Sequence, residues 1–198
     1  MTDLPMTIGV LVLAYLLGSI PFGLVLSRMA GLGDIRDIGS GNIGATNVLR
    51  TGNKFIAALT LLTDAAKGFI AVAIALELLG MSTAYWAGLA ALLGHVFPVW
   101  LGFKGGKGVA VFIGTSIALS PLPGLSFLTV WLLVALITRR SSLAALIAAI
   151  SVPLYMFLLG EVYGAAVVGV QVVLVYLAHR ENIFRLLSGE EPRIGQSA

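Results

Sequence analysis

Residues 55–79 read FIAALTLLTDAAKGFIAVAIALELL, twenty-five residues interrupted only by Asp64 and Lys67 and, near the end, Glu77. A helix needs about 20 mainly apolar residues to cross the hydrocarbon of a bilayer. This run exceeds that length, and six more runs accompany it. They lie near residues 4–26, 84–103, 106–120, 121–138, 143–159 and 162–178. From the second onward they follow almost head to tail, with no linker, low-complexity tract or clear repeat. That spacing predicts an all-α integral membrane protein, a seven-helix bundle forming one membrane domain over residues 1–198. Composition agrees. Of 198 residues, 59% are hydrophobic and 11% charged, against roughly 45–50% and about 25% in soluble domains. Mean hydropathy is +1.02. Cysteine is absent, which excludes disulfides, thiolate metal sites and a cysteine nucleophile. Two histidines are too few for a histidine metal cluster.

The first run has no Lys or Arg before it and no obvious small-residue cleavage site, so it is expected to be a retained helix, not a signal peptide. Orientation follows from Lys and Arg in the short connections. Arg28, Arg36, Arg50 and Lys54 follow the first run; Lys104 and Lys107 the third; Arg139 and Arg140 the fifth; Arg180, Arg185 and Arg193 the seventh. The second, fourth and sixth are followed by none. Eleven of the twelve cations therefore fall on one face, and the twelfth is Lys67. The expectation is a periplasmic N-terminus and a cytoplasmic C-terminus. The overall net charge of +3 gives no reason to expect nucleic acid. It divides into +6 inside, counting Asp34, Asp37, Glu181, Glu190 and Glu191, and −3 outside, from Asp3, Glu77 and Glu161.

Polar chemistry is concentrated on the inner face. The segment 39–50, GSGNIGATNVLR, is rich in glycine, which lets backbone N–H groups converge on an anion. Ser40, Asn42, Thr46 and Asn47 add neutral polar groups, and Arg50 a forked cation suited to phosphate. Gly39-x-Gly41-x-x-Gly44 also fits a dinucleotide fingerprint, with Asp64 twenty residues on. That motif requires a preceding strand, and here a membrane helix precedes it. Gly102 to Gly108, GFKGGKG, lacks the spacing and hydroxyl of a Walker A loop, yet two lysines among glycines suit a phosphate. Asp64 and Lys67 lie one helical turn apart within a span, where ionisable groups face the bundle interior. Two roles are open to them: a structural ion pair, or for Lys67 a substrate contact. Past the last span, His179, Asn182 and Arg185 stand three apart on one helical face.

In order along the chain stand Gly18-Ser-Ile-Pro-Phe-Gly23, Gly-Ser-Gly-Asn-Ile-Gly-Ala-Thr-Asn at 39–47, Asp64-x-x-Lys67-Gly68, Gly94-His95 with Phe103-Lys-Gly-Gly-Lys-Gly108, and His179-Arg-Glu-Asn-Ile183. Together they closely resemble the bacterial acyl-phosphate-dependent glycerol-3-phosphate acyltransferase family over nearly the whole chain. The resemblance implies a seven-helix inner-membrane enzyme whose active site faces the cytoplasm. Its reaction moves an acyl group from acyl phosphate to the 1-hydroxyl of glycerol 3-phosphate, giving lysophosphatidic acid and inorganic phosphate. No cofactor, metal, coenzyme A or acyl carrier protein is implied; the partners are the two substrates and membrane lipid. Carried over by residue, Ser40, Asn42, Thr46, Asn47 and Arg50 form the acyl-phosphate pocket. Lys107, Ser142, His179 and Asn182 bind glycerol 3-phosphate, with Lys107, His179 and Asn182 catalytic. Lys104 is placed to serve either phosphate. One departure is Ala145, where some relatives have a second serine. The His-x4-Asp signature of other glycerolipid acyltransferases is absent, since Trp100 and Phe184 stand five residues after the two histidines.

The implied chemistry is direct attack, because acyl phosphate is already activated. Catalysis then comes from positioning and from neutralising two phosphates. His179 and a substrate phosphate both remain candidates for the proton. A transporter of organic phosphates is the competing reading. It would carry polar groups along a path to the far side, whereas the outer turns hold no Lys, Arg or His. An assembly protein would not need phosphate-suited loops.

Overall fold

The computed structural model describes residues 3–195, and within them every regular element is helical. The first apolar run is two helices, α1 (Leu4–Gly18) and α2 (Phe22–Met29). Proline cannot donate a backbone hydrogen bond and its ring crowds the preceding turn, so the chain breaks at Ser19–Pro21 where an unbroken span was expected. After a short helix α3 (Ala45–Val48) come α4 (Lys54–Leu79), α5 (Met81–Val96), α6 (Val109–Leu119), α7 (Pro121–Thr138), α8 (Ser141–Leu158), α9 (Val162–Ala178) and α10 (Arg180–Leu187). Counting α1 and α2 together, five spans are long and apolar enough to cross a membrane. A sixth qualifies if α9 and α10 are joined, but they meet at 65°. Helix α6 has 11 residues, about 16 Å at 1.5 Å per residue, well short of a hydrocarbon core near 30 Å. The glycines expected to begin that span lie outside the helix, Gly108 in the left-handed region at its N-cap.

Packing inverts the habit of a soluble protein. Ile137 is 83% exposed and Leu136 70%, while the interior holds alanines 71, 75, 84, 87, 91, 144, 148 and 149. Apolar surface gains nothing by leaving lipid for protein, so close backbone approach between small residues drives association. Helices α1 and α5 cross where Gly18 lies on the Ala91 carbonyl and Gly94 on the Tyr15 carbonyl; a Cβ at either would overlap those oxygens. Gly68 against Val111 and Gly114 against Ala65 do the same for α4 and α6.

The polar exception lies at the break. Lys67 Nζ donates to the Ile20 carbonyl at 2.7 Å, pairs with Asp64 Oδ1 at 2.7 Å and lies 5.7 Å from the centre of the Phe22 ring. His95 Nδ1 stands 3.7 Å from the same carboxylate oxygen. Asp64 and Lys67 are each 2% exposed. The pair thus tethers the broken span to α4, and Lys67 faces inward instead of toward a substrate. Removing one partner of a buried pair strands the other charge and costs about 3–5 kcal/mol, whereas replacing both by apolar residues is close to neutral. Lys67→Met is therefore expected to lower the unfolding midpoint in detergent sharply, and Asp64→Leu/Lys67→Met to recover most of that loss. Equal losses in the two variants would show that the ion pair does not join these helices.

Candidate active site

Segment 39–50 is built around Asn47. Its Nδ2 donates to the Ile35 carbonyl at 2.6 Å, and its Oδ1 accepts from Ser40 N at 3.2 Å and Ser40 Oγ at 3.4 Å. Asn42 Oδ1 accepts from Gly44 N at 2.9 Å. Asn47 thus uses both ends of its amide in shaping the loop, and Asn42 its oxygen. The Arg50 guanidinium lies against Gly39, whose φ of +56° and lack of Cβ make room for it. Ser40, Thr46 and Arg50 are the exposed members.

Segment 102–108 is shaped by His95. Helix α5 ends at Val96, two residues before Pro98, and the chain turns back so that Gly105 N donates to the Val96 carbonyl at 3.1 Å and Gly106 N to the His95 carbonyl at 3.0 Å. A Cβ at Gly105 would strike that carbonyl, and one at Gly106 would strike His95 Nε2. The two glycines are a packing requirement that sets where Lys107 stands. Lys104 is exposed and Lys107 half-buried. The Arg185 guanidinium and the Glu191 and Glu181 carboxylates lie within electrostatic reach of the Lys107 ammonium.

Three further elements meet this lysine. Ser142 lies in the first turn of α8, His179 at the bend after α9, and Asn182 in the first turn of α10. All are buried. The His179 Nδ1 is 2.8 Å from the Val175 carbonyl, so Nδ1 carries the proton there and Nε2 is the open lone pair. Burial, and secondarily Lys107, lower its pKa to about 4, against an opposing pull from the Val175 carbonyl and Glu191. The ring is therefore neutral at physiological pH.

Glu191 is the member that sequence reasoning missed. Its Oε1 accepts from Ser142 Oγ at 2.6 Å and Asn182 Nδ2 at 2.6 Å, and its Oε2 from Arg185 Nε at 2.8 Å. Burial raises this carboxyl's pKa, but the three donors outweigh it and leave a net decrease. Glu191 lies past the last helix among exposed charges, and only its company on a basic face hinted at a role. Arg185 also lines an open cleft of ≈ 360 Å³ with Arg180, Glu181 and Phe184. One cluster thus holds Lys107, Ser142, His179, Asn182, Arg185 and Glu191, with Arg50 within electrostatic reach of Lys107. Among the described residues no group of three metal-ligating side chains occurs.

Residues 8–189 match the family model described as glycerol-3-phosphate acyltransferase. A protein of that name from Agrobacterium fabrum is 59% identical over 93% of this chain and 90% of its own. One from Sinorhizobium medicae is 58% identical over 98% and 95%. The chain belongs to the glycerol-3-phosphate acyltransferase family. Two solved structures of PlsY, an integral membrane glycerol 3-phosphate acyltransferase, superpose on it. The glycerol 3-phosphate form has TM-score 0.88 at 43% identity, and the lysophosphatidic acid form 0.87 at 42%; each covers 96% of both chains. This member of the glycerol-3-phosphate acyltransferase family is likewise an integral membrane protein, and its family was legible from motif order alone.

The low basicity of His179 has a measurable sign. Unfolded histidine protonates near pH 6.5 and folded His179 near 4. The stability this group permits is thus complete above about 6.5 and is lost as pH falls toward 4. With two histidines in the chain, imidazole NMR in detergent assigns each by substitution. The resonance absent from His179→Gln is expected to remain neutral at pH 5.5 with a midpoint near 4; a midpoint of 6 or above would contradict the burial argument.

Proposed function

We propose that this protein transfers a fatty acyl group from acyl phosphate to the 1-hydroxyl of glycerol 3-phosphate, releasing lysophosphatidic acid and inorganic phosphate. The observation that carries this reading is a neutral His179 with a free Nε2, beside the Lys107 ammonium and at the edge of a membrane bundle. A cation supplies charge for a phosphate, a bare imidazole nitrogen can take a proton, and the bilayer holds the acyl chain. The names of the relatives support it, as do the solved relatives in glycerol 3-phosphate and lysophosphatidic acid forms.

The glycerol oxygen attacks the acyl carbonyl carbon, the bond from that carbon to the phosphate oxygen breaks, and phosphate leaves. The hydroxyl proton passes to His179 Nε2 or to a phosphate oxygen. Lys107, Ser142, His179 and Asn182 hold glycerol 3-phosphate. Arg50, with Ser40 and Thr46, faces the acyl phosphate over a loop that Asn42 and Asn47 keep in shape, and Lys104 stands at its margin. No coenzyme A, acyl carrier protein, metal or cofactor enters this scheme. The seven apolar runs form one domain in the bacterial inner membrane, the N-terminus periplasmic and the site cytoplasmic, with α6 and the glycine segment before it making the fourth crossing.

In detergent, phosphate release by the purified protein is expected to require both acyl phosphate and glycerol 3-phosphate. Absence of turnover, with organic-phosphate flux into liposomes instead, would establish the transporter. A general base contributes roughly 10²–10⁴-fold, so His179→Ala is expected to lose at least 100-fold in kcat. Retention of kcat with a raised KM would give the proton to phosphate and leave His179 a binding group.

Topology is tested separately in the cysteine-free chain. Ser82→Cys is expected to react with an impermeant maleimide in spheroplasts, and Ser188→Cys only after lysis. The reverse pattern would invert the bundle.

A further inference from the structure

Of the six clustered side chains, Arg185 and Glu191 are the two that the proposed chemistry does not use, and the Glu191 carboxylate decides what two of the others can offer. An ionised carboxylate only accepts hydrogen bonds. Ser142 Oγ, at 2.6 Å, therefore spends its single proton on Glu191. The Asn182 amide, also at 2.6 Å, is forced to point Nδ2 at the same oxygen, because the opposite orientation would set two acceptors against each other. Asn182 Oδ1 is left on the other side, buried and without a hydrogen-bond partner among the described residues. Asn182 as a whole is 6% exposed and Ser142 8%. Such an oxygen is costly unless a bound molecule supplies a donor.

A phosphate dianion is an acceptor and cannot supply one. A hydroxyl can. Neither cation of the cluster, Lys107 or Arg185, bonds Asn182 Oδ1; Arg185 gives its Nε to Glu191 Oε2 and lines the open cleft. We propose that Glu191 is a positioning residue that fixes Ser142 and Asn182 as hydrogen-bond acceptors, making their corner the seat of the glycerol hydroxyls and leaving the phosphate to Lys107 and Arg185. This rests on the reading that the chain binds glycerol 3-phosphate.

Propyl phosphate carries the same anion without hydroxyls, so the ratio of its Ki to the KM of glycerol 3-phosphate measures hydroxyl readout by itself. Glu191→Met removes the acceptor and frees both side chains to turn. It is expected to shrink that ratio about tenfold to hundredfold, the factor for leaving a buried polar group without a partner, while the Ki of propyl phosphate moves less than threefold. Glu191→Gln/Asn182→Asp exchanges the amide and the carboxylate at unchanged cluster charge. The new amide can donate to one carboxylate oxygen and leave the other as an acceptor. Ser142 shares the replaced oxygen and loses its acceptor, so this double variant preserves the acceptor at position 182 alone and is expected to keep the ratio several-fold above that of Glu191→Met even if turnover falls.

A glutamate that merely supports the fold would weaken both ligands equally in Glu191→Met and lower the melting temperature, with the double variant no better. A glutamate occupying the phosphate seat would give tighter binding of both ligands on replacement. Either result overturns the proposal. A wild-type protein that shows no saturable dependence on glycerol 3-phosphate overturns the proposed function itself, and this inference with it.

Discussion

The Lys67 ammonium holds together parts of the chain that nothing local would join. Proline at 21 ends α1 within an apolar stretch and frees backbone groups where lipid offers no partners. Lys67, three turns into α4, reaches the Ile20 carbonyl, while Asp64 balances its charge. The same carboxylate faces His95, whose carbonyl and ring underlie Gly105 and Gly106. The broken helix, the long helix and the Lys107 loop therefore share one buried polar junction. A bundle held mainly by small residues in van der Waals contact has few other means of fixing a loop at its end.

The phosphate-suited face has two kinds of polar residue. Some shape the backbone: Asn47 uses both ends of its amide, against Ile35 and Ser40, and Asn42 its oxygen, against Gly44. Others are anchored at one end only: His179 through Nδ1 on the Val175 carbonyl, and Asn182 through Nδ2 on Glu191, its Oδ1 left without a partner among the described residues. The division reflects valence. An amide has donors and an acceptor in opposite directions, so one end can be anchored while the other stays available.

Much of this was readable beforehand, for identifiable reasons. Apolar run length marked α7 and α8 because neither holds a charged residue over 18 positions, and α4 because its length of 26 residues outweighs its few charges. It failed for α6, where the run expected from 106 becomes helical only at Val109, after Gly108 in the left-handed region, a distinction hydropathy does not see. It also passed over the break at Pro21, since proline counts little in an average yet stops a helix. Ser142, His179 and Asn182 were singled out through motif order, and the structure brings them into one cluster. Glu191 was not, because its partners lie on α8 and α10, 49 and 9 residues away, and no periodicity connects a tail residue to them.

The 65° turn after His179 sets the depth of the chemistry. Helix α10 cannot follow α9, and it leaves Phe184 70% and Leu187 84% exposed on one side, with Arg180 and Glu181 also outward. A short helix of that character rests in the boundary between headgroups and acyl chains. His179 and Asn182 are then carried at a level chosen by the lipid and not only by the protein. In the proposed acyl transfer, a bilayer that thickens or thins would move this corner relative to the acyl carbonyl, making membrane composition a coordinate of that reaction.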